Sequence, residues 1–410
     1  MTRGLASLLA LVLVAGCAVS PDTPAPGGGA GARGVTDTSI KVGGLLLKTS
    51  SSGYTLADTE IGAKARFDRA NAEGGVHGRR IDYIGSEDDG GDPAKDLAAA
   101  RKLVQRDQVF AVVPANSPFM GGADFLVQNR VPFFGWAVNP QMCGNEYGYG
   151  FSGCLVPRKG TNTQTWWGHQ VAAQVGGAAG KKAWVQGSDN DASRFGVHTL
   201  ELSFKAAGFT IAGTAASMPS KGVPADWSPY VNAILKAKPD VVVSVMTTPF
   251  NIGLYGGLKK AGFTGVFTDA VDYDPKLLAQ PAVRAALQGG ITATQFAPFE
   301  SDVPEVARMK ADLRKAAGRD DLAFTNPMAI GYWSADLFLA IAAKAGRDLT
   351  VESFTAVPRA GFEHRDAGLG ALSFPEDWKD PAGCGALVRL EGDRYRVVQP
   401  LRCYPTTPFS

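Results

Sequence analysis

The chain has 410 residues, of which 45% are hydrophobic and 20% charged, and its formal net charge is +2. This length and apolar content allow a large core and two domains. No basic block or stripe stands out, so the composition does not favour a nucleic-acid-binding protein.

The N-terminal residues predict export and lipid attachment. Arg3 gives a short positive start, and residues 5–14 form an apolar run that is typical of a signal peptide and too short for a membrane-spanning helix. The run ends in Val-Ala-Gly-Cys17, which resembles a bacterial lipobox. We therefore expect residues 1–16 to be removed, Cys17 to be acylated on the extracytoplasmic face of the membrane, and residues 17–34 to be a flexible tether. An ordinary signal peptide that happens to contain a cysteine is the alternative.

Four further cysteines are present, namely Cys143, Cys154, Cys384 and Cys403. An even number in an exported chain predicts two disulfides. Pairing near neighbours gives Cys143–Cys154 and Cys384–Cys403, although the sequence alone allows three connectivities. Free buried thiols are the alternative, and metal binding has less support because no second ligand lies at a suitable spacing.

The rest of the chain alternates between apolar strand-like runs and amphipathic helical patterns. The predicted strands are residues 40–47, 81–84, 109–113, 131–134, 182–186, 209–212, 240–245, 265–267 and 291–295. One predicted helix contains Ala63, and a second starts near Pro93. Further helices are predicted over residues 121–128, 192–207, 229–236 and 250–261, and two later ones contain Val306 and Ile330. This alternation predicts an α/β protein with parallel sheets, and the number of strands favours two doubly wound lobes.

Motifs for catalysis or for a cofactor were not found in the sequence. The histidines show no metal-ligand pair at helical spacing, and neither a G-x-S-x-G elbow nor a complete phosphate-binding loop is present. We therefore expect no enzyme, no metal and no cofactor. An exported α/β hydrolase is an alternative that would require a nucleophile, a base and an acid in one place.

Several motifs occur in a characteristic order. Residues 62–81 combine a long helix, Asn71, a Gly-Gly pair, Gly-Arg and a strand, and residues 88–93 add an acidic turn with an Asp-Pro helix start. Pro-containing strands follow at residues 131–134 and 239–243. This order resembles the type I periplasmic binding proteins of the leucine/isoleucine/valine-binding group over about residues 35–400.

The resemblance implies two lobes joined by three crossover segments, with a ligand in the cleft between them. It puts the crossovers near residues 153–157, 293–298 and 368–374. The first lobe would then be residues 35–155 with 297–370, and the second would be residues 156–296 with 371–410. Ligand binding would shift a hinge equilibrium from an open to a closed form.

The same resemblance implies a function in solute capture. The ligand is expected to be an amino acid or a related carboxylate or amide, aromatic ones included, and the partner is expected to be the permease of an ABC transporter. We expect a monomer. A lipoprotein of the same fold that reports its ligand to a membrane receptor is the alternative, and sequence does not separate the two.

Ligands of open α/β sheets bind beyond the carboxyl ends of the strands, where helices begin. The candidate ligand-binding residues chosen on this basis and on the resemblance are Tyr54, Asn116, Ser117, Trp136, Val138, Asn139, Phe195, Thr247 and Asp269. The resemblance implies that Asn116 or Ser117 holds a ligand carboxylate and that a nearby acid pairs with an ammonium. Ala270 occupies the matching acidic position here, with Asp269 and Asp272 as neighbours. Helix capping or core packing is the alternative role for these candidates.

Overall fold

The computed structural model describes Met1 and residues 32–409, except 52, 119, 157–160 and 220–221. Cys17, the expected signal peptide and most of the expected tether lie outside the described residues, as does part of the first expected crossover. Residues Ala32–Ser410 form one unit. Within the part of the chain that the structure describes, no helix combines the length and apolar content needed to cross a membrane.

The first passage of the chain builds the sheet of the first lobe. Its elements are β1 (Ser39–Leu46), α1 (Thr59–Ala72), β2 (Arg80–Asp88), α2 (Pro93–Arg101), β3 (Ala111–Asn116), α3 (Ala123–Gln128), β4 (Phe133–Gly135) and β5 (Gly148–Gly150). The strands are parallel and lie in the order β2-β1-β3-β4-β5. Every residue of β3 is buried, as expected for a central strand with helices on both faces.

The second passage builds most of the second lobe. Its elements are β6 (Asn162–Thr163), α4 (Trp166–Gln174), β7 (Lys182–Ser188), α5 (Asp191–Ala206), β8 (Thr210–Met218), α6 (Ser228–Ala237), β9 (Val241–Val245), α7 (Thr248–Lys260), β10 (Val266–Asp269), α8 (Pro281–Leu287) and β11 (Ile291–Thr294). The chain then returns to the first lobe with α9 (Pro304–Ala317), α10 (Asn326–Ala345), α11 (Val351–Arg359), β12 (Phe362–Asp366) and β13 (Gly370–Phe374). It ends with β14 (Cys384–Glu391), β15 (Arg394–Cys403) and β16 (Thr407–Pro408).

The second sheet has the order β15-β14-β11-β10-β9-β7-β8. Its five strands from β8 to β11 are parallel, whereas β14 is antiparallel to β11 and β15 is antiparallel to β14. The α/β prediction with two parallel-sheet lobes is confirmed, and the antiparallel strands β14 and β15 at this edge were not predicted from the sequence. A tight turn at Gly392, with φ +66°, joins β14 to β15 directly, and a direct turn can only produce an antiparallel pair. The pairing of β14 with β11 joins strands far apart in sequence.

The segments that connect the lobes lie side by side. Gly153 pairs with Pro381, and the Cys154 amide donates to the Asp380 carbonyl at 2.9 Å. The last connection follows Trp378, whose ring packs on Tyr149 of β5 with ring centroids 5.8 Å apart. It therefore comes later than the expected segment 368–374, because the β12–β13 hairpin and Trp378 stay packed on the first lobe. The exact lobe boundaries stay a prediction.

Two glycines set the distance between α1 and α10, the long helix behind the first sheet. A Cβ atom on Gly62 would lie 1.9 Å from the Met328 carbonyl oxygen, and one on Gly331 would lie 1.9 Å from the Thr59 carbonyl oxygen. Only glycine allows backbones to approach so closely. These glycines allow α1 to pack closely on α10, and this packing positions the loop between β1 and α1 that reaches the cleft.

The two expected disulfides are present in the structure as Cys143–Cys154 and Cys384–Cys403. The first closes the loop between β4 and the first crossover. The second joins β14 to β15 in the antiparallel edge of the second sheet. Each bridge closes a short loop and so contributes on the order of 3 kcal/mol in the chain-entropy description.

Candidate functional site

A cavity of about 200 Å³ lies between the two lobes. The first lobe lines it with residues that follow β1, β3 and β4, namely Tyr54, Leu56, Asn116, Ser117, Pro118, Trp136 and Val138. The second lobe lines it with residues at the ends of β7, β9, β10 and β11 and at the starts of α4, α5 and α7. Because parallel strands all end on the same side of their sheet, the two carboxyl edges face one another across the cavity.

The walls of the cavity are mainly apolar and include three tryptophans. Trp166 and Trp167 stack on each other with ring centroids 5.9 Å apart and planes 12° apart. The indole N–H of Trp167 donates to Thr268 Oγ1 at 2.9 Å, which fixes the orientation of the ring. Aliphatic side chains complete the surface, namely Leu56, Val138, Leu155, Val156, Leu200, Val245, Met246 and Val271. Such a lining, with few polar groups, is typical of a small-molecule site.

Among the described lining residues, three buried polar atoms have no hydrogen-bond partner. They are Asn116 Oδ1, Trp136 Nε1 and Thr199 Oγ1. Asn116 is held from its other side, since its Nδ2 donates to Thr59 Oγ1 at 3.0 Å. Buried polar groups are normally paired, so these atoms are the positions at which a ligand would supply the missing partners.

Charged side chains are absent from the described lining, which contains no Asp, Glu, Lys, Arg or His. Behind Ser117 lies a buried acid pair, Asp89 and Asp96. Burial raises the pKa of Asp96 to about 7, although a hydrogen bond from the Gly122 amide opposes the shift. Burial also raises the pKa of Asp89, whose carboxylate hydrogen-bonds to Ser117. Among the described residues, no cluster of His, Cys, Asp or Glu is arranged to hold a metal ion.

Asp269 is turned away from the cavity. Its carboxylate accepts hydrogen bonds from the amides of Val271 at 2.7 Å and Asp272 at 2.8 Å, and from Thr292 Oγ1 at 3.3 Å. Burial raises the pKa of Asp269 to about 6. Burial and the neighbouring Asp269 raise the pKa of Asp272 well above its ordinary value. These carboxyl groups border a separate space of about 10 Å³ beside Tyr395.

The sequence pattern of a family described as periplasmic binding protein matches residues 39–394. The chain belongs to the periplasmic binding protein family. The resemblance noted in the sequence is therefore confirmed. No curated protein matches the chain.

Solved structures with the same fold are distant in sequence. A fatty acid ABC transporter substrate-binding protein from Thermomonospora curvata is 21% identical, with 92% of this chain and 95% of that chain covered and a TM-score of 0.70. A solute binding protein from R. palustris in complex with 4-hydroxybenzoate is 19% identical, with 90% and 96% covered and a TM-score of 0.66. A leucine binding protein from Thermotoga maritima is 15% identical, with 90% and 98% covered and a TM-score of 0.65. At these identities the likeness shows the fold alone.

The cavity of this periplasmic binding protein brings together most of the residues chosen from its sequence. Those that line it are Tyr54, Asn116, Ser117, Trp136, Val138 and Thr247. Asn139 and Phe195 do not line it, and neither does Asp269. Asn139 instead supports the loop after β3, since its Nδ2 donates to the Ser117 carbonyl at 2.9 Å. Phe195, although it lies on α5 of the second lobe, packs against the core of the first lobe.

Several lining residues of the second lobe were missed in the sequence. Gln164, Trp166 and Trp167 precede or begin α4, a helix that the periodicity did not predict. Asn190 carried a usable signal, because it lies just before the predicted helix 192–207. It caps α5 by accepting a hydrogen bond from the Ser193 amide at 2.9 Å. The loop that contains such a cap belongs to the carboxyl edge of the sheet, where ligands bind.

Proposed function

We propose that this periplasmic binding protein captures a small solute in the cleft between its lobes and delivers it to the permease of an ABC transporter. The observation that carries the proposal is the apolar cavity whose lining includes the unpaired atoms Asn116 Oδ1, Trp136 Nε1 and Thr199 Oγ1. These atoms come from both lobes, so a ligand that pairs with them would hold the lobes together. A closed form stabilised in this way is what a permease would recognise.

Two further observations support this proposal. Proteins of the same fold include a fatty acid ABC transporter substrate-binding protein, a solute binding protein in complex with 4-hydroxybenzoate and a leucine binding protein, so the cleft of this fold serves varied small solutes. In addition, the described lining contains no histidine. The serine and threonine hydroxyls of the cavity therefore have no imidazole base beside them, which supports binding without catalysis.

A thermal-shift screen of the purified protein against amino acids, small carboxylates, amides and aromatic acids tests the proposed function. A ligand at about 100 times its dissociation constant should add about 2.7 kcal/mol to the free energy of unfolding. Calorimetry would then give the affinity of each hit. No stabilisation by any member of a broad panel would contradict the proposal.

A matched pair of variants shows whether a hit binds in the cavity. Val138→Trp puts an indole into a space of about 200 Å³ and should weaken binding at least roughly a hundredfold by steric exclusion. Val223→Trp makes the same change at a side chain that is 52% exposed and should leave the affinity unchanged. Equal affinities for the two variants would locate the ligand elsewhere.

We also propose that Cys17 carries a lipid that holds the protein at the membrane. The support is the apolar run that ends in Val-Ala-Gly-Cys17, followed by a segment rich in Pro, Gly and Ala. Cys17→Ser should move the protein from the membrane fraction to the soluble extracytoplasmic fraction, because a thioether-linked lipid can no longer form. Fractionation and immunoblotting measure this change, and Cys17→Ser protein that stays in the membrane fraction would refute the anchor.

A further inference from the structure

The cavity offers no counter-charge for a cation. No acidic side chain is among its described lining residues, and the positions between 32 and 410 outside the description carry neither Asp nor Glu. Ligand selection in such a cavity differs from selection in one that contains a carboxylate. An ammonium group that entered this cavity would lose its hydration without gaining an ionic partner.

The acidic residues that neighbour the lining residues are not themselves part of the lining. Asp269 accepts two backbone amides and a threonine hydroxyl, and Asp89 hydrogen-bonds to Ser117. Asp191, next to the lining residue Ala192, has an exposed side chain that pairs with Arg194 at 2.7 Å. Asp272 borders the separate space beside Tyr395 and not the cavity, and burial raises its pKa. None of these carboxyl groups lines the cavity.

Three helices of the second lobe begin at the cavity. The first turns of α4 and α5, and the N-cap Thr247 of α7, are part of its lining. The N-terminal end of a helix carries a partial positive charge, which attracts anions and repels cations. A second, independent feature points the same way, because Trp136 is only 8% exposed and its Nε1 donor has no partner.

We propose that the ligand of this cleft is an apolar monocarboxylate that lacks an ammonium group, with its apolar body against the tryptophans and its carboxylate as the acceptor for Trp136 Nε1. This inference rests on the proposed function in solute capture and names its substrate class. An α-amino acid would present the same carboxylate and side chain together with a cation that this site does not balance. The preference should therefore appear between ligands that differ only in the amino group.

Calorimetry on the purified protein at pH 7 with matched ligands tests the proposed class. The probes are 3-phenylpropanoate against phenylalanine and 4-methylpentanoate against leucine. Each carboxylate should bind at least roughly tenfold more tightly than its amino acid, because the amino acid brings an unpaired buried ammonium. The neutral amide 3-phenylpropanamide should also bind more weakly than 3-phenylpropanoate, because it lacks the charge that the helix N-termini favour.

The outcomes separate this inference from the proposed function. Equal or tighter binding of the amino acids would overturn the ligand class while supporting solute capture. An amide that binds as tightly as its carboxylate would overturn the preference for an anion. Failure of all these probes, together with failure of the broad panel, would overturn both the class and the function.

The role of Trp136 has its own test. Trp136→Phe keeps an aromatic ring but removes the N–H donor, and it should weaken the binding of the carboxylate roughly tenfold. Trp333→Phe is the matched control, because Trp333 Nε1 is also buried without a partner but lies on α10 away from the cavity. The Trp333→Phe variant should bind the carboxylate with unchanged affinity. Unchanged affinity in Trp136→Phe would overturn the assignment of this donor to the ligand.

Discussion

Replacing Gly331 with alanine is expected to lower the free energy of unfolding by about 3 kcal/mol or more. The added Cβ would lie 1.9 Å from the Thr59 carbonyl oxygen and 2.9 Å from the Ala63 amide nitrogen. Both atoms belong to the backbone at the start of α1, so no side-chain rotation relieves the contact, and the helices must separate. Urea unfolding followed by circular dichroism measures the loss.

Gly256→Ala is the matched control for this substitution. Gly256 also lies within a helix, α7, but the nearest atom to its added Cβ would be the Ala286 Cβ at an ordinary 3.6 Å. Alanine should therefore raise the stability by about 0.5–1 kcal/mol, because it reduces the freedom of the unfolded chain. A similar effect of the two substitutions would contradict the close contact between α1 and α10.

Removing the Asp336 carboxylate is expected to lower the free energy of unfolding by about 3–5 kcal/mol, because it leaves buried cations without their partner. Asp336 on α10 is 8% exposed and lies 2.5 Å from Arg66 Nε and 3.0 Å from His364 Nε2. Arg69 approaches it at 3.8 Å. The same urea titration on Asp336→Ala measures the loss. A loss below about 1 kcal/mol would contradict the stabilising role of this buried charge network.

Asp68→Ala is the control for a charge removed from the surface. Asp68 pairs with Lys64 at 2.5 Å, but the two side chains are 45% and 51% exposed. Water already screens such a pair, so its loss should cost only about 0.3–0.5 kcal/mol. The contrast between the two variants isolates the effect of burial from the effect of an ion pair as such.

The contribution of Asp336 should also depend on pH. Burial opposes ionisation of this group, but the hydrogen bond with His364 and the charge of Arg66 lower the pKa of Asp336 to about 2. Because the folded-state pKa is below the unfolded value, the stabilisation is present above the unfolded pKa and is lost as the pH falls through about 2. The stability difference between wild type and Asp336→Ala should therefore be largest at pH 7 and shrink by about 2 kcal/mol towards pH 2.

The local pattern of residues determined most of the helices and parallel strands. The apolar runs that became β1 and β9, and the amphipathic runs that became α1 and α5, need only neighbours along the chain to show their period. Asp92 also marked a helix start, and its side chain accepts hydrogen bonds from the amides of Ala94 and Lys95 at the start of α2. Two near-neighbour cysteine pairs were predictable for the same reason, because short loops bring them together.

The edge of the second sheet was decided by tertiary structure. β14 and β15 form a hairpin that joins β11 only after the chain has crossed between the lobes a third time. The hydrophobic periodicity of these strands does not predict which strand they pair with, because pairing of strands far apart in sequence depends on the path of the whole chain. The third crossover was misplaced because Phe374 and Trp378 pack on Tyr149, a contact between segments distant in sequence.

The sequence by itself determined that this is a two-lobed α/β periplasmic binding protein and where along the chain its cleft loops lie, because strand ends in parallel sheets are set by local patterns. Only the tertiary structure decided which side chains of those loops face the cavity. Asp269 turns back to accept hydrogen bonds from the following turn, while Trp166 and Trp167 enter the cavity from a helix without a clear sequence period. Side-chain direction at a strand end depends on the turn that follows and on the lobe opposite, and neither is a property of the local sequence.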